Sequence, residues 1–251
     1  MLSSASIQSY VGVWGYQDLV TVAPARASRG PAAPEATRIF LRPIATPFPV
    51  GFMALSTASL LVAGLELGWF SGGDRTIVAV ALVAFGFPLQ MLASVFGFLG
   101  RDTAAATGFG VQGATWLVVG VDLLLSSPGT TSHALGVLLL AASTWILLCA
   151  LGSALGKLVP ASVLLLTALR FLITGLYELT ASGGLEHAAA ITGLALVVVA
   201  GYAAFALEVE NLQRRTVLPL GRRGHGEEAM RSDLPVQAER LDREAGVREQ
   251  L

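Results

Sequence analysis

Arg170 has the strongest claim on chemistry in this chain, because it stands in the middle of a long apolar run, Leu158–Leu179. An arginine at such depth costs at least ~2.5 kcal/mol unless it is paired or hydrated. It lies roughly 18 Å along its run at ~1.5 Å per residue, and Gln90 and Gln112 lie roughly 14 Å along theirs. A long arginine side chain spans that difference, so three polar groups from three segments can meet in one layer. The fixed positive charge of Arg170 would lower the barrier for an anion crossing an apolar medium. The other reading of Arg170 is structural, with its guanidinium held by backbone carbonyls or by a carboxylate such as Asp122.

The remaining ionisable residues carry weaker signals. Glu66, Asp122 and Glu178 fall near the ends of their apolar runs. They read as interfacial charges in headgroup water; the alternative is a shared acidic vestibule or proton-accepting cluster. His133 and His187 stand at the starts of runs and are expected at the interface. The lone Cys149 lies in an apolar run and reads as a small packing residue. There is no G-x-S-x-G, H-E-x-x-H or Walker loop, so the chain is not expected to be an enzyme and calls for no metal and no cofactor.

The elements that position these residues follow from composition. Of 251 residues, 54% are hydrophobic and 13% charged, and the mean hydropathy is +0.68. That is about half the charge of a soluble domain, too little to coat a globule. A net charge of −1 argues against nucleic acid as a partner. Six stretches are long and apolar enough to cross a bilayer: Pro49–Phe70, Ile77–Leu99, Thr103–Ser126, His133–Leu155, Leu158–Leu179 and His187–Leu207. None has a polar face, which a soluble bundle needs. The expected fold is an all-α membrane protein with six transmembrane helices.

Orientation follows from the short loops. With the N-terminus inside, the cytoplasmic side collects Arg101, Lys157, Arg214, Arg215, Arg222 and Arg223 together with the N-terminal arginines, whereas the outer loops carry only Arg75. Both termini are therefore expected in the cytoplasm. Residues 1–30 have no apolar core after a basic start, so the first spanning helix is expected to drive insertion. Residues 1–44 form a Pro-, Ala- and Arg-rich segment that reads as largely disordered. Residues 45–221 form the membrane domain and 222–251 a charged tail. Within that tail Val236–Leu251 could be helical, with Glu239 and Arg243 paired.

Three segments resemble the acetate uptake transporter family, the succinate–acetate permeases of the YaaH type. Thr46-Pro47-Phe48-Pro49-Val50-Gly51-Phe52 is similar to the family's N-P-A-P-L-G-L, with the Asn replaced. Gln90, the turn Arg101-Asp102-Thr103, Gly113 and Trp116 follow its second pattern. Arg215-Thr216-Val217-Leu218-Pro219-Leu220-Gly221 is close to its ending R-T-V-L-P-x-G. The resemblance covers roughly residues 45–221. It implies a homo-hexamer in the cell membrane, each protomer's helices surrounding their own pore for acetate and related small carboxylates, often with a proton. The family's constriction of Phe, Leu and Tyr falls on Leu55, on Leu166 if Leu166-Thr167 is the anchor, and on Gln112.

With that resemblance, Pro47 and Pro49 acquire two readings. Proline suits a first helical turn for local reasons; alternatively, the amides and positive dipole end there face the pore and attract an anion. Arg170 lies one turn beyond Leu166 and would share its face. The expected function is a permease for small carboxylates, with membrane lipid as its surroundings. The competing readings are a non-transporting membrane scaffold or signalling protein that kept the fold, and a permease for another small solute such as ammonia.

Overall fold

A computed structural model of the protein describes residues 45–71, 73–224 and 226–227. The N-terminal segment 1–44 and the tail helix anticipated over Val236–Leu251 lie outside them. Six helices run in chain order: α1 (Phe48–Glu66), α2 (Asp74–Leu99), α3 (Thr103–Leu125), α4 (His133–Ala154), α5 (Leu158–Thr180) and α6 (Gly183–Gln213), each long and apolar enough to cross a membrane. Among the described residues there is no strand, only an isolated bridge between Lys157 and Arg222. The outward faces carry Ile77, Leu125, Leu151, Val198 and Phe205 fully in view. Water would not tolerate such a skin, but lipid does. The chain is an all-α, multi-pass membrane protein.

Without a hydrophobic drive between helices in lipid, close approach depends on small residues. Gly136 of α4 meets Gly175 of α5, where an added Cβ would lie 3.0 Å from the Gly175 carbonyl oxygen. Gly108 of α3 seats Leu164 of α5, at 2.9 Å from such a Cβ.

Helix α2 holds a π turn at Leu82–Gly86, where the Phe87 amide reaches back to the Leu82 carbonyl. Pro88 explains it. Proline has no N–H to give, and in a regular α-helix its ring would strike the carbonyl four residues back. The wide turn also sets the face of the second half. Val78, Leu82, Gly86 and Gln90 are all buried, in steps of four. Such steps drift by about 40° each around a straight α-helix, and the π turn absorbs that drift and keeps Gln90 inward.

Three helices differ from the hydropathy reading by three residues or more at an end. Helix α1 stops at Glu66 rather than Phe70, because Gly68 takes a left-handed φ of 68° and the Trp69 amide closes on the Gly64 carbonyl at 2.8 Å. Helix α2 begins at Asp74, whose carboxylate accepts from the Ser71 amide and hydroxyl at 2.9 and 2.8 Å. Helix α6 runs well past Leu207, and His187 sits inside its first turns rather than at its start. Hydropathy marks the hydrocarbon, whereas a helix continues into the polar zone.

After α6 the chain doubles back as a strap. Leu158 and Val159 donate their amides to the carbonyls of Gly221 and Leu220 at 3.0 and 3.1 Å, and Arg223 donates to Gly156 at 2.8 Å. The first two bonds satisfy first-turn amides of α5 that have no intrahelical partner. The strap is held by an Arg222–Glu210 ion pair, by Thr216 donating to Glu210 at 2.6 Å and by the Tyr202 hydroxyl on the Pro219 carbonyl at 2.9 Å.

Candidate functional site

Two cavities enter the bundle from opposite ends. At the end that carries the α1–α2, α3–α4 and α5–α6 turns lies a vestibule of about 270 Å³, lined by Glu66, Asp122, Glu178 and Glu186 with Arg75 and Tyr177. At the opposite, basic end lies a cavity of about 150 Å³ lined by Phe48, Phe52, Asp102, Lys157 and Pro160.

Helical periodicity joins them. On α1, Phe52 lines the basic-end cavity and Val62 and Glu66 the vestibule, with Leu55 and Ser59 between on the same stripe. Helix α3 passes from Ala105 through Gln112 and Trp116 to Val119. Helix α5 passes from Pro160 through Leu164, Thr167 and Phe171 to Thr174 and Glu178, and α4 from Ser153 through Ile146 to Leu139. Four helices thus present one continuous face each to a common axis with a cavity at either end.

The middle of that axis is tight. Leu55, Ile146, Gln90, Gln112 and Thr167 are fully buried. Trp116 meets Phe171 edge-on at 5.9 Å, and Phe52 meets Phe109 in the same manner at 5.0 Å. Gln90 donates to Gln112 at 3.0 Å. That one bond leaves Gln90 Oε1 and Gln112 Nε2 unpaired, and Ser59 Oγ and Trp116 Nε1 also lack a partner. An unsatisfied buried polar group costs about 1–3 kcal/mol. Four such groups on these buried stripes are open to polar cargo or to water.

The expected layer of three polar residues forms only in part. Gln90 and Gln112 meet, but the hydrogen bonds of Arg170 go to other partners. Its Nη2 donates to both carboxylate oxygens of Glu66, at 3.0 and 3.2 Å, and its Nη1 donates to the Ala189 carbonyl. The carboxylate is Glu66, not the Asp122 that the sequence offered; Asp122 accepts from the Ser126 hydroxyl at 3.0 Å. Arg170 is 2% exposed, and its guanidinium occupies the space that a Cβ on Gly193 would need. Glu66 faces inward as the last residue of the α1 stripe that carries Phe52, Leu55, Ser59 and Val62.

Leu166 is half-buried against the core, while Thr167 takes the axis-facing position on the α5 stripe. Pro47 precedes the first turn of α1 and Pro49 lies buried within it, one residue from the cavity-lining Phe48. There the Lys157 ammonium stands 5.4 Å above the Phe48 ring and 3.2 Å from the Asp102 carboxylate. Glu66, Asp122 and Glu178 line one vestibule together. Sequence reasoning missed Glu186 and Arg75 as its other charged walls; their position in the turns beside those acids was the available signal. Cys149 packs against the core, as a small apolar residue would.

No family model matches the chain. No curated protein matches it either. Among solved structures, the chain is similar to that of the bacterial acetate channel SatP, with a TM-score of 0.64 and 23% sequence identity over 71% of this chain and all of that one. The likeness shows a shared fold. It spans a length comparable with the six-helix region and leaves the remainder of the chain unmatched.

Proposed function

We propose that the chain is a permease for small carboxylates of the acetate and succinate class, carrying them along the axis between the two cavities of each protomer. The observation that carries this reading is the continuity of the four helical faces from the acidic vestibule to the basic-end cavity. The seam of unpaired Gln112, Trp116 and Ser59 groups supports it, since these can give hydrogen bonds to a carboxylate where water is scarce. The similarity to an acetate channel and the sequence resemblance to the acetate uptake transporters point the same way.

In this reading Pro47 and Pro49 shape the mouth at the basic end, and Leu55, Gln90, Gln112 and Leu166 with its neighbour Thr167 form the narrow part. Arg170 acts near the vestibule. The basic end faces the cytoplasm, the membrane is the cell membrane and the protomers assemble as a hexamer. No catalytic step is involved. The test is uptake of labelled acetate and succinate into proteoliposomes, with and without a pH gradient. Uptake above empty liposomes supports the proposal, and none in either condition refutes it.

The scaffold reading draws on one observation, the Gln90–Gln112 bond that closes the seam. Uptake at the level of empty liposomes, from protein that is folded and inserted, would favour it.

A further inference from the structure

We infer that the paired Gln90 and Gln112 form a recognition site for small uncharged amides, which carry a carbonyl oxygen and an NH2 group on one carbon, and that the axis passes them as a second class of cargo. The inference takes its path, the axis between the two cavities, from the permease reading and adds a cargo to it.

Two glutamines on facing helices make an amide pair. Gln90 of α2 and Gln112 of α3 are both fully buried, and Gly113 lets the helices come close: a Cβ there would lie 3.3 Å from Gln90 Cβ. Gln90 Nε2 donates to Gln112 Oε1 at 3.0 Å, while Gln90 Oε1 and Gln112 Nε2 have no partner. One bond between two amides uses one donor group and one acceptor, so it leaves one of each. Turning both amides over reverses the bond and does not alter that count. Trp116, one turn beyond Gln112 on α3, adds an unpaired indole N–H, and Ser59 of α1 adds an unpaired hydroxyl.

This set matches a neutral amide more fully than it matches an anion. A carboxylate offers acceptors only. It can take hydrogen bonds from Gln112 Nε2 and Trp116 Nε1, but its charge then stands against Gln90 Oε1. An amide accepts at its carbonyl and donates its own N–H to Gln90 Oε1, so both halves of the pair are satisfied. A carboxylic acid presents the same two groups only when protonated, and at neutral pH it is ionised. An amide keeps both throughout.

The surroundings agree with a neutral cargo. Leu55, Gln90, Gln112, Trp116, Ile146 and Thr167 are buried and uncharged, and Arg170 is balanced by Glu66 at 3.0 Å. Burying an unpaired charge is far costlier than burying a hydrogen-bonded amide. In the vestibule, Glu66, Asp122, Glu178 and Glu186 outnumber Arg75. Such a surplus of acids repels an anion and leaves an uncharged solute unaffected.

The test is stopped-flow light scattering of proteoliposomes that hold the full chain, with urea as the probe amide, beside labelled-acetate uptake in the same vesicles. Urea should enter faster than it enters empty liposomes. In Gln90→Met/Gln112→Met its entry should fall about tenfold or more, since one lost hydrogen bond is worth on the order of tenfold. Methionine is close to glutamine in size, and replacing both partners leaves neither amide unpaired. A general leak would survive in that variant. Urea entry at the level of empty liposomes overturns the inference, and this measurement needs no variant to fold. Undiminished entry through the folded, inserted double variant overturns it as well. Urea entering without acetate sustains the inference and counts against the carboxylate reading, whereas acetate entering without urea does the reverse. Entry of neither counts against both.

Discussion

Replacing Gly193 by alanine would put a methyl group where the Arg170 guanidinium lies. A Cβ built there falls on Nη1 and within 2.7 Å of Cζ. The head group must withdraw, and it then loses the Ala189 carbonyl and both Glu66 oxygens together. Breaking a buried ion pair costs about 3–5 kcal/mol, whereas alanine gains about 1 kcal/mol over glycine within a helix. The net expectation is a loss of about 2–4 kcal/mol, the difference of those two terms. Gly201→Ala is the control on the same helix, because its Cβ would meet only Ser56 Oγ, at 3.8 Å. It should be neutral, or stabilising by up to about 1 kcal/mol. Reversible unfolding of both variants in mixed micelles measures the difference. A Gly193→Ala protein as stable as Gly201→Ala would show that Arg170 is not locked as described.

Other expectations follow from the ends of the bundle and from assembly. A reporter fused after Gly221 should be cytoplasmic and a cysteine at Gly129 should label from outside; external labelling within residues 100–103 would invert the topology. Arg222→Ala should release the strap, and the Leu158 and Val159 amides should then exchange about tenfold faster or more, since a charge-assisted bond is worth about 1.5–3 kcal/mol. Unchanged exchange would mean that the strap is held by other contacts. Mass measurements in mild detergent should give a hexamer, and a monomer in several such detergents would remove that part of the proposal.

The six spans were legible because hydropathy over about 20 residues reports directly on the hydrocarbon thickness. Arg170 was legible too, as a charge with no local reason to be buried. Its partner was not. Glu66 lies on the inward stripe of α1, but its pairing with Arg170 depends on a gap opened by Gly193 in a third helix, which no periodicity in one segment encodes. The contact between Gln90 and Gln112 followed from depth along their helices, but the face of Gln90 is set by the π turn before Pro88. The R-T-V-L-P-L-G segment was visible as a motif of resemblance. Its physical role, supplying carbonyls to the start of α5, needed the chain's return path to be known.

The central claim is that small carboxylates pass along the axis of the protomer, between the two cavities. Thr167 lies on that axis, fully buried, and Cys149 is the chain's one cysteine. The direct measurement is labelled-acetate flux through Thr167→Cys in a Cys149→Ser background, before and after methylthiolation confirmed by mass spectrometry. Flux should fall to the level of empty liposomes on modification, and acetate should slow the modification. Full flux through protein modified at position 167 would contradict the account.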